Sequence, residues 1–249
     1  MSRRADAIVV LLALLAATFF WATTERVNRN DAALYFQLAK NVAEGNGLSS
    51  KTEPPHNWVG SREPLYPLML AVPFRLFGAS LGTVFVVQAF MHALTALLAG
   101  RIVFRLAGSP RAAMLGAVIV AVFPTLANYT VYTMRETAFT LLVTLATFLT
   151  MAVLPRGRAA VAAPAGLAWG AAVLCRGVVL PLPVLLAGLI VVLAWRTSAT
   201  ARVAAVRSAV VLVIFTFLPM LPWSLYTARV NADFSATPRA WQNLYVRAS

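Results

Sequence analysis

At 249 residues, with 60% apolar and 12% charged, the chain departs from the roughly half-apolar, quarter-charged balance of soluble domains. This excludes an ordinary soluble enzyme, a disordered chain and a disulfide scaffold, the last because Cys175 is the single cysteine. The net charge of +13 would suit a nucleic-acid binder, but most bases flank apolar runs, so no nucleic-acid partner is expected.

The expected fold is an all-α polytopic membrane protein, one transmembrane module over residues 1–249. Seven apolar runs fit the ~17–25 residues that a spanning helix needs. They are Ala7–Thr23, Leu81–Ala99, Ala112–Tyr132, Thr137–Leu154, Ala159–Cys175, Gly177–Trp195 and Val203–Trp223. In lipid such runs must be helical, because their backbone groups find no water. The first follows Arg3 and Arg4, as in a signal peptide. Trp21-Ala22-Thr23-Thr24-Glu25 offers no clear small-x-small cleavage site, so it reads as an uncleaved anchor.

Arginine sets the expected orientation. With the N-terminus inside, the inner segments hold Arg3, Arg4, Arg101, Arg105, Arg111, Arg156, Arg158, Arg196, Arg202 and Arg207 beside a single acid, Asp6. The other seven acids fall outside, and five of them (Glu25, Asp31, Glu44, Glu53, Glu63) lie in one segment, Thr24–Ser80. The expected location is a bacterial inner membrane, with the N-terminus cytoplasmic and both the first long loop and the C-terminus outside.

That 57-residue loop is too long for a mere connector. From Asp31 to Glu44, Tyr35, Leu38, Ala39 and Val42 recur at helical spacing, and Gly45-Asn46-Gly47 ends the helix. Leu65–Phe77 is apolar but only 13 residues long and contains Pro67, Pro73 and Arg75, so it reads as a helix lying in the interface. Lys51–Glu63, with Pro54-Pro55, reads as an ordered loop between them.

Asp31-Ala-Ala-Leu-Tyr35-Phe-Gln37-Leu-Ala39, Gly45-Asn-Gly47, Arg62-Glu63-Pro64-Leu65-Tyr66-Pro67 and Phe77-Gly78, in that order, resemble the first outer loop of GT-C glycosyltransferases. The nearest group uses polyprenyl- or dolichyl-phosphate sugars and includes protein O-mannosyltransferases and the lipid A aminoarabinose transferase. Cys175-Arg176-Gly177 before Pro181 and Pro183 resembles that group's basic-Gly motif, and Pro222-Trp223 with Arg229 resembles the close of its transmembrane module. The resemblance implies an enzyme that takes a sugar from a lipid phosphate at the outer membrane face and hands it to a glycan, lipid or protein acceptor. Two departures stand out. Ala32 occupies a position that is often acidic in the group. The chain also stops 26 residues after the seventh expected span, whereas group members run longer. A fragment, a truncated paralogue and a minimal module all fit that end, with 224–249 as an outer tail.

The candidate site follows from this resemblance together with residue chemistry. Transfer to a hydroxyl needs a base near the acceptor proton. The resemblance gives that role to Asp31, which as an aspartate would also suit a helix N-cap. Arg176, a cation between two apolar runs, is expensive to place unless it works. The resemblance has it hold the donor phosphate, helped by Arg62. Glu63 is expected at a sugar hydroxyl or a loop partner, though Arg62-Glu63 could equally be a solvated pair worth little. Glu136 would line the site or sit in the favourable first turn of a helix. Tyr35 and Trp58 are candidate sugar or prenyl contacts or interface anchors, and Trp21, Trp195 and Trp223 are expected belt residues. No cofactor is expected. His56 and His92 form no ligand cluster, and nothing indicates a divalent ion at Asp31, Glu63 or Glu136.

Two other functions compete with the enzyme. A carrier or flippase for a lipid-linked substrate would place charge or broken helices near the midplane and show inverted repeats, and the sequence displays little of either. A catalytically inactive partner that binds a lipid-linked sugar fits Ala32 and the early end.

Overall fold

A computed structural model describes residues 2–25, 30–57, 62–153, 159–195 and 197–231. Among the described residues the chain is helical, without β-strands: α1 Arg3–Thr23, α2 Asp31–Glu44, α3 Leu65–Phe77, α4 Leu81–Ala107, α5 Pro110–Val122, α6 Pro124–Asn128, α7 Glu136–Val153, α8 Ala159–Cys175, α9 Pro181–Ala194, α10 Ala199–Phe217 and α11 Met220–Asn231. Single 3-10 turns cover Tyr129–Val131 and Gly177–Val179.

Five stretches are long and apolar enough to cross a membrane: Arg3–Thr23, Leu81–Ala107, Glu136–Val153, Gly177–Ala194 and Ala199–Val230. A bent pair, Pro110–Val122 with Pro124–Val131, makes a sixth if counted as one span. The seven expected spans therefore reduce to five or six, for two reasons. The third is broken by 48°. Pro124 has no N–H and crowds the residue before it, so Phe123 takes an extended backbone (φ −64°, ψ 116°). The fifth stops at Cys175, and its 17 residues reach only about 26 Å against a hydrocarbon core of about 30 Å. Elsewhere the helices outrun the apolar runs. Leu81 carries on to Ala107, because nothing breaks it before Gly108, whose φ of 65° closes the helix in the left-handed conformation. Residues 220–231 are helical where a tail was expected from 224. Trp223 accordingly lies within α11, buried and stacked on Tyr226 at 5.0 Å, rather than in an exposed belt.

The chain divides into two compact units, Met1–Trp58 with Tyr66–Thr144, and Val59–Leu65 with Leu145–Ser249. In the first, α1 and α4 run antiparallel. An Asp6–Arg101 ion pair joins them at one end, and Trp21 stacks on Phe85 at 4.6 Å at the other. Val9 and Ala13 of α1, Ala93 and Ala96 of α4, and Ala117 and Ala121 of α5 share one buried cluster. Small side chains let the backbones approach, which is how helices associate in lipid, where burial of apolar area gives no advantage. Also in this unit, α2 rests on α3 through Phe36 and Phe74 at 5.0 Å, and Arg75 Nη1 donates to the Ala43 carbonyl at 3.2 Å. Gly45, at φ 87°, terminates α2.

In the second unit α8 packs on α10 through Gly166 and Gly170. A Cβ at either would run into a backbone carbonyl, of Leu212 and of Thr216 respectively. Trp169, fully buried between those glycines in sequence, donates from Nε1 to Thr150 Oγ1 at 3.0 Å.

Candidate functional site

The sequence-predicted residues fall into two groups, one in each unit. In the first unit, α2 begins at Asp31 because Asn30 precedes it as N-cap. Asn30 holds φ 54° and ψ −124°, and its side chain makes no cap hydrogen bond. Asp31 is therefore a half-buried first-turn residue and not the cap itself. Such a backbone on a residue with a Cβ costs about 1–3 kcal/mol and persists only where surrounding structure enforces it. One turn further on the same face, Tyr35 is 1% exposed. Its ring meets Tyr66 edge-on at 5.4 Å, and the Arg135 guanidinium lies 5.9 Å from its centroid. That cation–π contact contributes about 0.5–2 kcal/mol, depending on desolvation. Glu136, next to Arg135, opens α7, where the helix dipole favours an acid. The Arg135 contact thus brings the residue just before α7 to Tyr35 of α2; Asp31 and Glu136 are their neighbours along the two helices.

In the second unit, α8 ends at Cys175, Arg176 adopts an extended backbone (φ −156°, ψ 109°), and the chain turns through Gly177–Val179 into α9. Glu63 Oε1 accepts from the Gly177 N–H at 3.4 Å across 114 residues of sequence. Arg62 and Glu63 are only 8% and 5% exposed, so they are not a solvated loop pair. A buried charge must be paired or hydrogen-bonded to be tolerated. Here the Glu63 carboxylate is held against the backbone of Gly177, and Arg62 and Arg176 are the sequence neighbours of the two residues in contact.

Sequence reasoning leaves two participants unassigned. Arg135 is one, and its signal was a charge beside Glu136 at a span edge. Gln88, fully buried in α4, is the other. It accepts from Tyr66 Oη at 3.1 Å and donates from Nε2 to the Thr130 and Tyr132 carbonyls at 3.1 and 2.6 Å, fixing the segment that leads to Arg135. Nothing in an apolar run distinguishes such a glutamine from an idle one. Trp58 lies outside the described residues. Among the described residues, no three His, Cys, Asp or Glu side chains are placed to share a metal ion.

Residues 61–223, more than half of the chain, match the family model described as dolichyl-phosphate-mannose-protein mannosyltransferase. The match includes Arg62, Glu63, Glu136 and Arg176, while Asp31 and Tyr35 precede it. No curated protein matches the chain.

Proposed function

The chain belongs to the dolichyl-phosphate-mannose-protein mannosyltransferase family and is a membrane glycosyltransferase of the GT-C type; from that premise we propose that it moves a sugar from a polyprenyl-phosphate donor to an acceptor hydroxyl at the outer face, with inversion. The single observation that carries the reading is the hydrogen bond from Gly177 N–H to Glu63. It draws together the two segments for which a phosphate role is expected, and each carries a buried or half-buried arginine. In this reading Arg176, with Arg62, holds the donor phosphate. The strained backbone at Asn30 supports a working role for Asp31, because strain of this kind collects at functional sites. Asp31 takes the proton of the acceptor hydroxyl, whose oxygen attacks the anomeric carbon from the face opposite the phosphate. The bond from that carbon to the phosphate oxygen breaks, and its electron pair leaves on the phosphate, where the guanidinium groups offset the charge. Development of positive charge at the anomeric carbon is common to glycosyl transfer. Tyr35, Glu63 and Glu136 shape the surroundings of the sugar, and the acceptor is a glycan, lipid or protein hydroxyl.

The test is transfer of radiolabel from polyprenyl-phosphate sugars in membranes containing the chain. Label should enter a new product, and the rate should fall by about 100-fold or more in Asp31→Asn and in Arg176→Ala, the scale of losing a base or an electrostatic stabiliser. Full transfer by both variants would remove these residues from the mechanism. Binding of the donor lipid with no transfer by the unaltered chain would make it a binding partner instead.

A further inference from the structure

The broken span of the first unit carries an inference of its own. At Phe123–Pro124 the span turns by 48°, and the chain continues through the short α6 and a 3-10 turn to Tyr132. The break is held in place by buried donors. His92 Nε2 bonds the Ala121 carbonyl at 2.9 Å; a carbonyl only accepts, so that nitrogen carries the proton. Gln88 holds the carbonyls of Thr130 and Tyr132 beyond the break. Two polar side chains of α4 are thus committed to a departure from helical geometry. Irregular backbone at membrane depth is tolerated where it is buried in protein or lines a cavity, and interrupted spans are a recurrent way of building binding sites.

A cavity of 330 Å³ opens at this break, lined by Phe20, Pro124, Thr125, Asn128, Tyr129 and Tyr132. It lies at the end of α1 where Trp21 stacks on Phe85. Its volume is at the small end of ligand pockets, which run from ~300 to ~1,000 Å³. Three aromatic rings offer flat apolar faces. Polar groups sit among them: the Thr125 hydroxyl, the phenol groups of Tyr129 and Tyr132, and the Asn128 amide, whose Oδ1 accepts from Thr24 Oγ1 at 3.2 Å. That bond occupies the Oδ1 acceptor, and the other end of the amide, Nδ2, is a donor. A hydrocarbon chain in this cavity would strand those polar groups, at about 1–3 kcal/mol for each one left without water. A ring that is apolar on its faces and hydroxylated at its edge would satisfy both kinds of lining.

We propose that the cavity at the broken span is a subsite for a single sugar ring, stacked on Tyr129 or Tyr132 and hydrogen-bonded by the Asn128 side chain. None of its lining residues is among those assigned to the donor phosphate. It rests on the glycosyltransferase reading only for the source of the sugar, which would be the acceptor glycan; binding itself stands apart from turnover.

The experiment uses the full chain in lipid nanodiscs, with methyl α-mannopyranoside and methyl α-glucopyranoside as probes and empty nanodiscs as the blank. Saturation-transfer NMR should carry magnetisation from the protein to the ring protons of at least one glycoside. The transfer should vanish in Thr125→Trp, which fills the cavity from an exposed position, and the affinity should weaken at least ten-fold in Asn128→Ala. Melting curves of both variants establish that they fold, and the exposed Thr125 site keeps the test open if Asn128→Ala does not. No transfer to either glycoside, or transfer unchanged in a folded Thr125→Trp, would overturn the proposal. So would a photoreactive lipid chain that crosslinks to Tyr129 and is not displaced by either sugar. Sugar transfer lost in Asp31→Asn while glycoside binding fails in the unaltered chain would refute this subsite and leave the glycosyltransferase reading intact.

Discussion

Among single residues, Gln88 makes the clearest case that polarity inside an apolar helix is structural work. It joins Tyr66 of α3 to two carbonyls beyond the break in the bent span. Replacing it by leucine would keep the volume and strand those partners. An average hydrogen bond between membrane helices contributes only about 0.6 kcal/mol, but buried groups left without partners cost about 1–3 kcal/mol each. Gln88→Leu should therefore lose about 1–3 kcal/mol in reversible unfolding in mixed micelles, and an unchanged unfolding curve would show that water replaces the glutamine. Residues were unequally legible in the sequence. Arg176 is conspicuous in the sequence as a guanidinium between two apolar runs. Gln88 and His92 did not, because a polar side chain on a small-residue face looks the same whether or not a carbonyl waits opposite. The contact of Glu63 with Gly177 spans 114 residues, and no local pattern encodes a separation of that kind.

For whole helices, what matters is what sits behind a glycine. At Gly166 and Gly170 an added Cβ would strike a carbonyl of α10, and backbone cannot rotate away. At Gly116 the nearest atom is a Val103 methyl at 2.8 Å, and a side chain can shift. Gly166→Ala should cost about 1–3 kcal/mol by forcing α8 from α10, and Gly116→Ala should cost less or even stabilise through helix propensity. Comparing the melting temperatures of the two variants checks this, and equal losses would remove the close approach as the cause. The two helices of the 24–80 segment were legible to the residue, Asp31–Glu44 and Leu65–Phe77. Both have helical periodicity or strong apolarity with glycines after them. The span count was not, because hydropathy registers how apolar a stretch is and not whether its backbone runs on. Pro124 breaks one apolar run, and a helix outlasts another through Arg101 and Arg105.

For the molecule as a whole, the arginine distribution makes a prediction independent of any family. In a Cys175→Ala background, Ser50→Cys should react with an impermeant maleimide on intact cells, and Ala107→Cys only after permeabilisation. Both positions are exposed. The reverse pattern would turn the protein over and remove the outer-face reading of the reaction. The bent span also bears on how the protein is made. A ribosome delivers α4 to the membrane before the carbonyls that Gln88 needs exist, since Thr130 and Tyr132 follow it by 42 and 44 residues. At about 5–20 residues per second that interval lasts roughly 2–9 s. Throughout it the nascent α4 carries an unsatisfied amide, so it has reason to linger at the insertion machinery until the chain that will bond it has emerged.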